Sequence, residues 1–413
     1  MSSPRSASRV VRILGTRGVP NRHGGFESFA EDLAPFLVAR GWTVVVYCQE
    51  EGDGPSWESQ WRGVRRVHIP VREGGSLGTV VFDWKCTRHA RREPGLALVL
   101  GYNTAIFSVA YRLGRIPSVL NMDGMEWRRA KYGLAERAWF LLNERLGCRI
   151  ADHLVADHPE IARYLRRLVP MDRVSTIAYG ARHVTNADVR RLEQFGLAAD
   201  RYLLVVARPE PENLTLEIVR AYSARARALP LVVLGAYRRD HPYQRRVLDA
   251  AGTNVLFPGA VYDRDTVDAL RHFARVYVHG HTVGGTNPAL VEALGAGAAV
   301  LAHDNPYNRW VAGDAAFYFR DEAACTACLD VCCGDACPAD IVARREAATR
   351  RHATEFDLET QLGRYERLLE RYVEVDAPTE RVQFDAPSLP PSPLPFAATA
   401  SVDSSPGAVT TPP

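Results

Sequence analysis

Short runs of apolar residues alternate along the chain with polar or glycine-containing loops and with segments of helical periodicity. An apolar run of about four to eight residues is typical of a buried parallel strand. Residues 26–37 instead carry apolar side chains at positions i, i+3, i+7 and i+10, which predicts an amphipathic helix. Runs of the strand type occur at 9–14, 42–48, 66–70, 96–100, 117–121 and 153–156, and again at 202–207, 231–235, 255–259, 274–278 and 298–302. The repeated order of strand, loop and helix predicts an α/β protein with doubly wound parallel sheets.

The length and composition of the chain favour two ordinary globular domains. Of its 413 residues 46% are hydrophobic and 24% are charged, and this length is too great for one average core. The formal net charge of +3 is close to neutral for this size, so electrostatics gives no case for binding nucleic acid. No apolar run of about eighteen residues and no apolar core of a signal peptide occurs, which predicts a cytoplasmic protein without a membrane span.

Five of the eight cysteines fall close together, at Cys325, Cys328, Cys332, Cys333 and Cys337. A Cys-x-x-Cys pair followed by further cysteines is one pattern of a zinc or cluster site. The first three are also spaced as on one face of a helix, where free cysteine behaves as a small buried hydrophobe. No histidine lies inside the run. We therefore expect a buried helix face here and no metal.

The most informative loop joins the strand at 274–278 to a helix predicted to begin at Pro288. It reads His-Gly-His-Thr-Val-Gly-Gly-Thr-Asn-Pro over 279–288, and Asn287 is placed to cap that helix. In open parallel sheets ligands bind at the carboxyl ends of strands, and anions favour helix N-termini. This loop is therefore predicted to hold a phosphate or a sugar, and an ordinary glycine-rich turn is the alternative.

A second glycine-rich loop, at residues 15–25, joins the first strand to the helix at 26–37 and completes a βαβ unit with 42–48. Its spacing is not Gly-x-Gly-x-x-Gly, and no acidic residue is obviously placed for a ribose. A nicotinamide cofactor is therefore not indicated, and no cofactor is expected.

Both glycine-rich loops resemble one known family. Gly-Gly-Thr-Asn-Pro-x-Leu-x-Glu-Ala-x-Gly-x-Gly at 284–297 is similar to the donor-binding loop of family 4 glycosyltransferases. Gly-Thr-Arg-Gly-x-Pro and Gly-Gly-Phe-Glu within 15–27 are similar to the opening of their bacterial rhamnosyltransferase-like branch. The resemblance extends from Arg9 to about Val373. It implies the GT-B fold, in which two Rossmann-like doubly wound domains face each other across a cleft.

The resemblance divides the chain into four parts. Residues 1–185 are expected to form an N-terminal, acceptor-side domain, with 177–181 as its last strand, and residues 186–355 a C-terminal domain that binds the nucleotide sugar. Residues 356–376 correspond to a helix that crosses back to the first domain. Residues 377–413 are rich in Pro, Ser, Ala and Thr without an apolar period, which predicts a disordered tail.

The family transfers a hexosyl or deoxyhexosyl group from a nucleotide diphosphate sugar with retention of configuration, and its branch assembles bacterial surface glycans. The resemblance therefore implies a dTDP- or UDP-sugar donor, with rhamnosyl the leading candidate group, and a saccharide or polyprenyl-linked acceptor. No Asp-x-Asp motif is placed to bind a metal beside a diphosphate, so metal-independent transfer is expected. Two alternatives stay open: a non-catalytic sugar- or nucleotide-binding protein of the same fold, and a sugar-nucleotide epimerase, whose acid–base residues are not apparent.

Matching positions in the family assign the donor site. Arg208 corresponds to the arginine that binds the donor diphosphate, but Glu212 stands where the family usually has a lysine. Glu292 matches the glutamate on the nucleotide ribose, whereas the glutamate near the transferred sugar falls on Gly284. We expect His281, or backbone N–H groups of the loop, to hold the sugar instead. The predicted donor-binding residues are Gly24, Gly25, Arg208, Glu212, Gly285, Thr286, Asn287 and Glu292.

Loops at the carboxyl ends of first-domain strands supply the remaining candidates. Carboxylates accept hydrogen bonds from sugar hydroxyls and aromatic rings cover apolar sugar faces. The predicted acceptor- or sugar-binding residues are Phe26, Glu27, Tyr102, Asn103, Glu126 and Trp127, and the predicted catalytic residues are Arg208, Asp123 and His281. Arg128 and Arg129 are expected on a solvated helix face, and Asp157-His158-Pro159 is expected only to cap a helix.

Because the branch acts on lipid-linked oligosaccharides, the resemblance also implies a peripheral contact with the inner face of the membrane. Three arginine groups are candidates for a basic surface: Arg62, Arg65 and Arg66; Arg88, Arg91 and Arg92; and Arg163, Arg166 and Arg167. An arginine-rich composition produces such groups by default, and the sequence does not choose between the two explanations.

Overall fold

Two β-sheets organise the part of the chain that this computed structural model describes, namely residues 9–21, 24–129, 132–334 and 338–373. The strands of the first sheet are β1 Val10–Leu14, β2 Thr43–Glu51, β3 Trp57–Trp61, β4 Val64–Val71, β5 Leu96–Leu100, β6 Ser118–Asn121, β7 His153–Ala156 and β8 Val174–Thr176. Those of the second are β9 Leu203–Val206, β10 Leu231–Leu234, β11 Val255–Gly259, β12 Val276–His279, β13 Val300–His303 and β14 Ala316–Phe319.

Both sheets have the crossover order of doubly wound folds. The first runs β3-β4-β2-β1-β5-β6-β7-β8 and is parallel except for β3, which pairs antiparallel with β4. The second runs β11-β10-β9-β12-β13-β14 and is parallel among its described strands. The doubly wound α/β architecture predicted from the hydrophobic pattern is therefore confirmed.

Helices connect successive strands and cover the sheets. In the first domain they are α1 Gly25–Ala39, α2 Gly75–Ala90, α3 Val109–Gly114, α4 Leu134–Ile150 and α5 Pro159–Leu165. In the rest of the chain they are α6 Thr215–Ser223, α7 Pro242–Asp249, α8 Arg264–Phe273, α9 Pro288–Gly295, α10 Pro306–Ala312, α11 Glu322–Cys333, α12 Pro338–Glu355 and α13 Leu358–Val373. Short 3-10 turns lie at Ala105–Ser108, Glu126–Arg128, Met171–Arg173, Val189–Phe195, Pro211–Asn213 and Gly313–Ala315.

The first sheet is buried on both faces because successive strand residues point to opposite sides. Val45 and Tyr47 belong to a core formed with α2, α4 and α5, whereas Val44 and Val46 belong to a core formed with α1. The last helix, α13, adds Leu362, Tyr365, Leu368 and Leu369 to the α1 side of this core. Residues from the far end of the chain therefore complete the interior of the first domain.

The strand predictions differ from the structure in several places, and the edge strand β14 at Ala316–Phe319 was also not predicted. Residues 177–181 were expected to form a last strand, but the first sheet ends at β8, and Ala181 makes only an isolated bridge with Asp357. Strand β3 was not predicted, because its sequence is largely polar and Trp57 is half exposed. It pairs with β4 through a two-residue turn in which Arg62 and Gly63 have φ values of 48° and 77°, as tight hairpin turns require.

The cysteine-rich segment is a helix, as its spacing predicts. Helix α11 buries Cys325, Leu329 and Cys332 against the second sheet. Among the described residues no group of three or more His, Cys, Asp or Glu side chains is placed to hold a metal ion. Cys337 and the tail predicted at 377–413 lie outside the described residues. No helix within the described ranges is long and apolar enough to cross a membrane.

Candidate functional site

The loop between β12 and α9 has the capped helix start that the sequence predicts. The side chain of Asn287 accepts a hydrogen bond from the backbone N–H of Ala289 at 3.0 Å, and Pro288 occupies the first helical position. Gly280 allows the loop to approach the 3-10 turn Pro211–Asn213, because a Cβ there would lie only 2.3 Å from the carbonyl oxygen of Asn213. The helix N-terminus and its preceding loop therefore stand at the carboxyl edge of the second sheet.

Loops that follow β9 and β13 support this loop through hydrogen bonds. The Nδ1 atom of His281 lies 2.7 Å from Oδ1 of Asn213, and the backbone N–H of Thr282 donates to the carbonyl of Glu212 at 2.9 Å. The carbonyl of His281 accepts from the side-chain amides of Asn305 and Asn308, at 3.0 and 2.9 Å. His281, a predicted catalytic residue, is thereby oriented by its neighbours on both sides.

The space beside Gly284 is filled from α10. A Cβ at Gly284 would lie 2.5 Å from the ring of Tyr307, which is far inside a normal contact. Tyr307 is itself partly buried against the core of the first domain. The space that a side chain at 284 needs is therefore taken by an aromatic ring, and glycine is required while that ring stays in place.

Asp157 contacts the loop between β12 and α9, whereas it was expected only to cap a helix. Its Oδ2 accepts a hydrogen bond from the backbone N–H of Thr286 at 2.9 Å, and the Thr286 hydroxyl donates to the Asp157 carbonyl. Helix α5 is capped instead by His158, whose Nδ1 accepts from the N–H of Glu160 at 3.0 Å. Gly285, with φ of 113°, leaves room for this contact, since a Cβ there would lie 2.8 Å from Oδ2.

Asp157 and Asp123 follow neighbouring strands, β7 and β6; Asp157 is buried and Asp123 is partly buried. Asp157 is 2% exposed, and its burial, followed by the negative charge of Asp123, raises its pKa to about 8. Burial also raises the pKa of Asp123, although the positive charges of Arg129 and Arg208 lower it in part. A protonated Asp157 is therefore expected beside the loop between β12 and α9 at neutral pH.

Arg129 joins the two domains and is not on a solvated helix face as expected. Its guanidinium lies 2.7 Å from Glu126 of the first domain and 3.2 Å from Glu212 of the second, and its side chain is only 14% exposed. Burial opposes its charge, but Glu126, Asp123 and Glu212 together raise the pKa of Arg129. Arg128 is exposed and lies over the Trp127 ring. Because Arg129 balances carboxylates from both sides of the cleft, it becomes a candidate site residue that the sequence did not identify.

Arg208 stands at the end of β9 with an exposed side chain. Within the described ranges of the chain, its guanidinium makes no ion pair, since Glu212 is bound to Arg129 instead. Its backbone is fixed by two hydrogen bonds to its carbonyl, from the Asn213 amide at 2.8 Å and from the Glu210 N–H at 2.7 Å. The side chain is therefore positioned at the strand end and is accessible to a ligand.

The remaining donor-site candidates lie around the start and the body of α9. Gly25 faces the helix start, because a Cβ there would lie 3.5 Å from Cγ of Pro288, and Gly24 precedes the first turn of α1. Glu292, further along α9, is paired with the buried Arg271 of α8 at 2.5 Å and is 32% exposed. The structure thus brings the first glycine-rich loop opposite α9 and leaves part of the Glu292 carboxylate in contact with solvent.

The candidates on the acceptor side are mostly held by the first domain itself. The Tyr102 hydroxyl accepts from the Glu126 N–H at 2.7 Å, and the Trp127 indole donates to Oε2 of Glu144 at 2.8 Å. Oε1 of Glu27 accepts from the Arg17 N–H at 3.0 Å. Oε1 of the buried Glu144 also accepts a hydrogen bond from the Tyr164 hydroxyl at 2.5 Å. Glu144 was not identified from the sequence because it lies inside the amphipathic α4. These contacts orient the loop after β6.

Phe26 and Asn103 lie at the edge of this group. The Phe26 ring packs near Gly101, where a Cβ would lie 3.2 Å from it. Asn103 is exposed, and its carbonyl accepts from the Trp139 indole at 2.9 Å. The Asn103 amide is therefore open to solvent next to the buried Tyr102.

Comparison with known proteins identifies the fold. Residues 8–182 match a family described only as a domain of unknown function, DUF1972, and no curated protein matches the chain. Sucrose-phosphate synthase from Thermosynechococcus elongatus superimposes with a TM-score of 0.75 at 16% identity, covering 89% of this chain and 100% of that one. HepE from Anabaena, solved with UDP and glucose, superimposes with a TM-score of 0.70 at 15% identity, covering 88% of this chain and 99% of that one. A trehalose-phosphate synthase from Burkholderia xenovorans, solved with glucose-6-phosphate, superimposes with a TM-score of 0.69 at 13% identity, covering 88% of this chain and 100% of that one. The chain therefore has the GT-B fold, with two Rossmann-like domains that face each other across a cleft.

Proposed function

We propose that the protein is a glycosyltransferase that moves a hexosyl or deoxyhexosyl group from a nucleotide diphosphate sugar to a saccharide or lipid-linked saccharide. The observation that carries this proposal is the position of Arg208. Its accessible guanidinium stands at the carboxyl end of β9, beside the loop that leads into the capped N-terminus of α9. Cationic and N–H donors at this edge of a doubly wound sheet suit a diphosphate.

Transfer from such a donor requires that negative charge on the departing diphosphate be stabilised. Arg208 and the N-terminal end of α9 offer positive potential that is already in place before the reaction begins. Loss of one such donor typically costs about 3 kcal/mol in the barrier, or roughly a hundredfold in rate. In the retaining reaction that the family resemblance suggests, a phosphate oxygen of the leaving group accepts the proton of the acceptor hydroxyl. No protein carboxylate is needed as a nucleophile, which agrees with glycine at position 284.

The first-domain residues fit the acceptor side of the same proposal. Asp123, Glu126 and Arg129 follow β6, and Arg129 pairs with Glu212 of the second domain, so hydroxyl-binding groups come from both domains. We further propose rhamnosyl transfer in the assembly of a bacterial surface glycan, with a peripheral contact at the membrane where a lipid-linked acceptor is presented. HepE, a protein of the same fold, is solved with UDP and with UDP-glucose, which supports including UDP-sugars among the candidate donors.

The experiment is to incubate the purified protein with dTDP-rhamnose, UDP-glucose and related nucleotide sugars, and to measure the free nucleoside diphosphate with and without saccharide acceptors. We expect release from one donor, increased by an acceptor and lost in Arg208→Ala. Tight binding of a nucleotide sugar with no release under any condition would favour the alternative, a non-catalytic binding protein of this fold. Absence of both binding and release would contradict the proposal.

A further inference from the structure

A groove lined by arginines runs along the open edge of the first sheet, away from the candidate site. Its volume is about 420 Å³, and its floor is formed by β8 with the residue that follows it, Val174 to Ile177. Its walls carry Arg166, at the end of α5, and Arg364, Arg367 and Arg371 of α13. None of these residues belongs to the predicted donor, acceptor or catalytic sets. We refer to it as the arginine groove.

The helix α13 separates its charges between two faces. Arg364, Arg367 and Arg371 are spaced i, i+3 and i+7, which places them on one stripe, while Leu368 between them is buried in the core. The carboxylates Glu366 and Glu370 turn away to pair with Arg40 and Arg9, each at 3.0 Å. Glu366 and Glu370 therefore form ion pairs outside the stripe.

The charge in the arginine groove is not balanced by neighbouring side chains. Among the described residues Arg166, Arg364, Arg367 and Arg371 form no ion pair, and the groove lining includes no carboxylate; Asp172 lies in the preceding turn and is exposed. The pKa of the neighbouring His153 is lowered to about 4. Burial is the largest cause, and the positive charges of Arg371 and Arg173 lower it further. His153 in turn bonds Ser175, whose side chain lies in the groove floor.

We propose that the arginine groove binds an anion with more than one phosphate group, of the size of a diphosphate. Guanidinium groups form paired hydrogen bonds with phosphate oxygens, and several such groups around one concavity suit a multiply charged anion better than a single carboxylate. Ser175 and Thr176 also line the groove, with their side chains on opposite faces of β8. The volume is in the range of small-ligand sites, which are roughly 300 to 1,000 Å³. The ligand is either free in solution or the headgroup of a lipid, and the two share this chemistry.

The test compares pyrophosphate binding, by calorimetry at low salt, among four forms of the full chain. In Arg364→Gln/Arg367→Gln/Arg371→Gln the affinity at the groove should fall by about tenfold or more. The matched control is Arg220→Gln/Arg245→Gln/Arg246→Gln, which removes three exposed arginines of α6 and α7 and should bind as the wild type does. Arg208→Ala, which alters the candidate donor site, should leave groove binding intact, so failure of the proposed transferase function would not affect this result.

Vesicle flotation separates the two sources of phosphate. Capture by vesicles that contain a lipid diphosphate, absent with phosphatidylcholine alone and lost in the α13 triple variant, would identify a lipid headgroup. Pyrophosphate binding without such capture would identify a soluble ligand. Equal pyrophosphate affinity in the wild type and the α13 variant, or an equal loss in the α6/α7 control, would overturn the proposal. Melting temperatures of all variants show that the compared proteins are folded.

Discussion

Replacing Asp157 with asparagine should remove a pH dependence of stability that the wild-type chain carries. In the folded protein, burial and the charge of Asp123 raise the pKa of Asp157 to about 8, whereas a solvated aspartate titrates at about 4. Between these values the folded state holds the proton that the unfolded state has released. The free energy of unfolding therefore falls as pH rises, by about 1.4 kcal/mol per pH unit. The stabilisation is complete below about pH 4 and is lost as pH rises through the folded value.

From about pH 6 to about pH 8 the wild type should lose about 2 kcal/mol of unfolding free energy relative to Asp157→Asn, since the slope falls to half its maximum at the folded pKa. This corresponds to a fall of about 2–5 °C in melting temperature. Asparagine keeps an oxygen that accepts the Thr286 N–H and has no charge at any of these pH values. The matched control is Asp314→Asn, at an exposed aspartate of the second domain, which should follow the wild type. The titratable groups facing Asp157 are Asp123 and the tyrosines at 179, 307 and 365. Burial is the largest cause that raises the pKa values of these tyrosines, so they stay neutral over this pH range. A constant difference between wild type and Asp157→Asn across the range would refute the reasoning.

Substitutions at Arg208, Glu292 and Gly284 provide further tests of the candidate site. Arg208→Ala should lose roughly a hundredfold in turnover with little change in melting temperature. Arg208→Lys should be nearly as impaired, because an ammonium group does not reproduce the two parallel hydrogen bonds of a guanidinium with a phosphate. Early melting with normal turnover of the folded fraction would contradict this role. Glu292→Gln should weaken donor binding in calorimetry, and unchanged donor affinity would exclude the ribose assignment. It should also cost stability, because the buried Arg271 loses its charged partner. Since Glu292 is partly exposed to solvent, this cost should be only about 1 kcal/mol. Gly284→Ala should destabilise the protein by about 1–3 kcal/mol, because the new methyl group clashes with Tyr307. The double variant with Tyr307→Ala should be destabilised by less than the sum of the two single changes. Additive thermal shifts would show that the two positions are independent.

The sequence predicted the features that depend on local order. The strand and helix series follow from hydrophobic periodicity, and the start of α9 follows from Asn287 and Pro288, which act within one helical turn. The helix that carries Cys325 and Cys332 was likewise read from spacing alone. In each case the residues that decide the structure are neighbours along the chain.

Contacts across the cleft were not predictable in the same way. Asp157 and Thr286 are separated by 129 positions, and their hydrogen bond depends on how the two domains meet. Arg129 has the sequence context of a surface arginine, and only the approach of Glu212 from the second domain shows its role. The ring of Tyr307 at Gly284 is a third case, because glycine alone does not show what fills the space beside it. Local patterns locate the loops of the site, but the pairing among those loops is a tertiary property.

The return of α13 to the first domain has a consequence for the order in which the chain folds during synthesis. Leu362, Tyr365, Leu368 and Leu369 complete one face of the first sheet, and Asn121 at the end of β6 donates to the Tyr365 hydroxyl at 2.8 Å. A ribosome releases these residues only after the whole second domain has been made. Until then the nascent first domain exposes the apolar surface around α1 to water and to chaperones. Residues 8–182 produced alone should have the same exposed face, and supplying α13 as a separate peptide should improve their solubility.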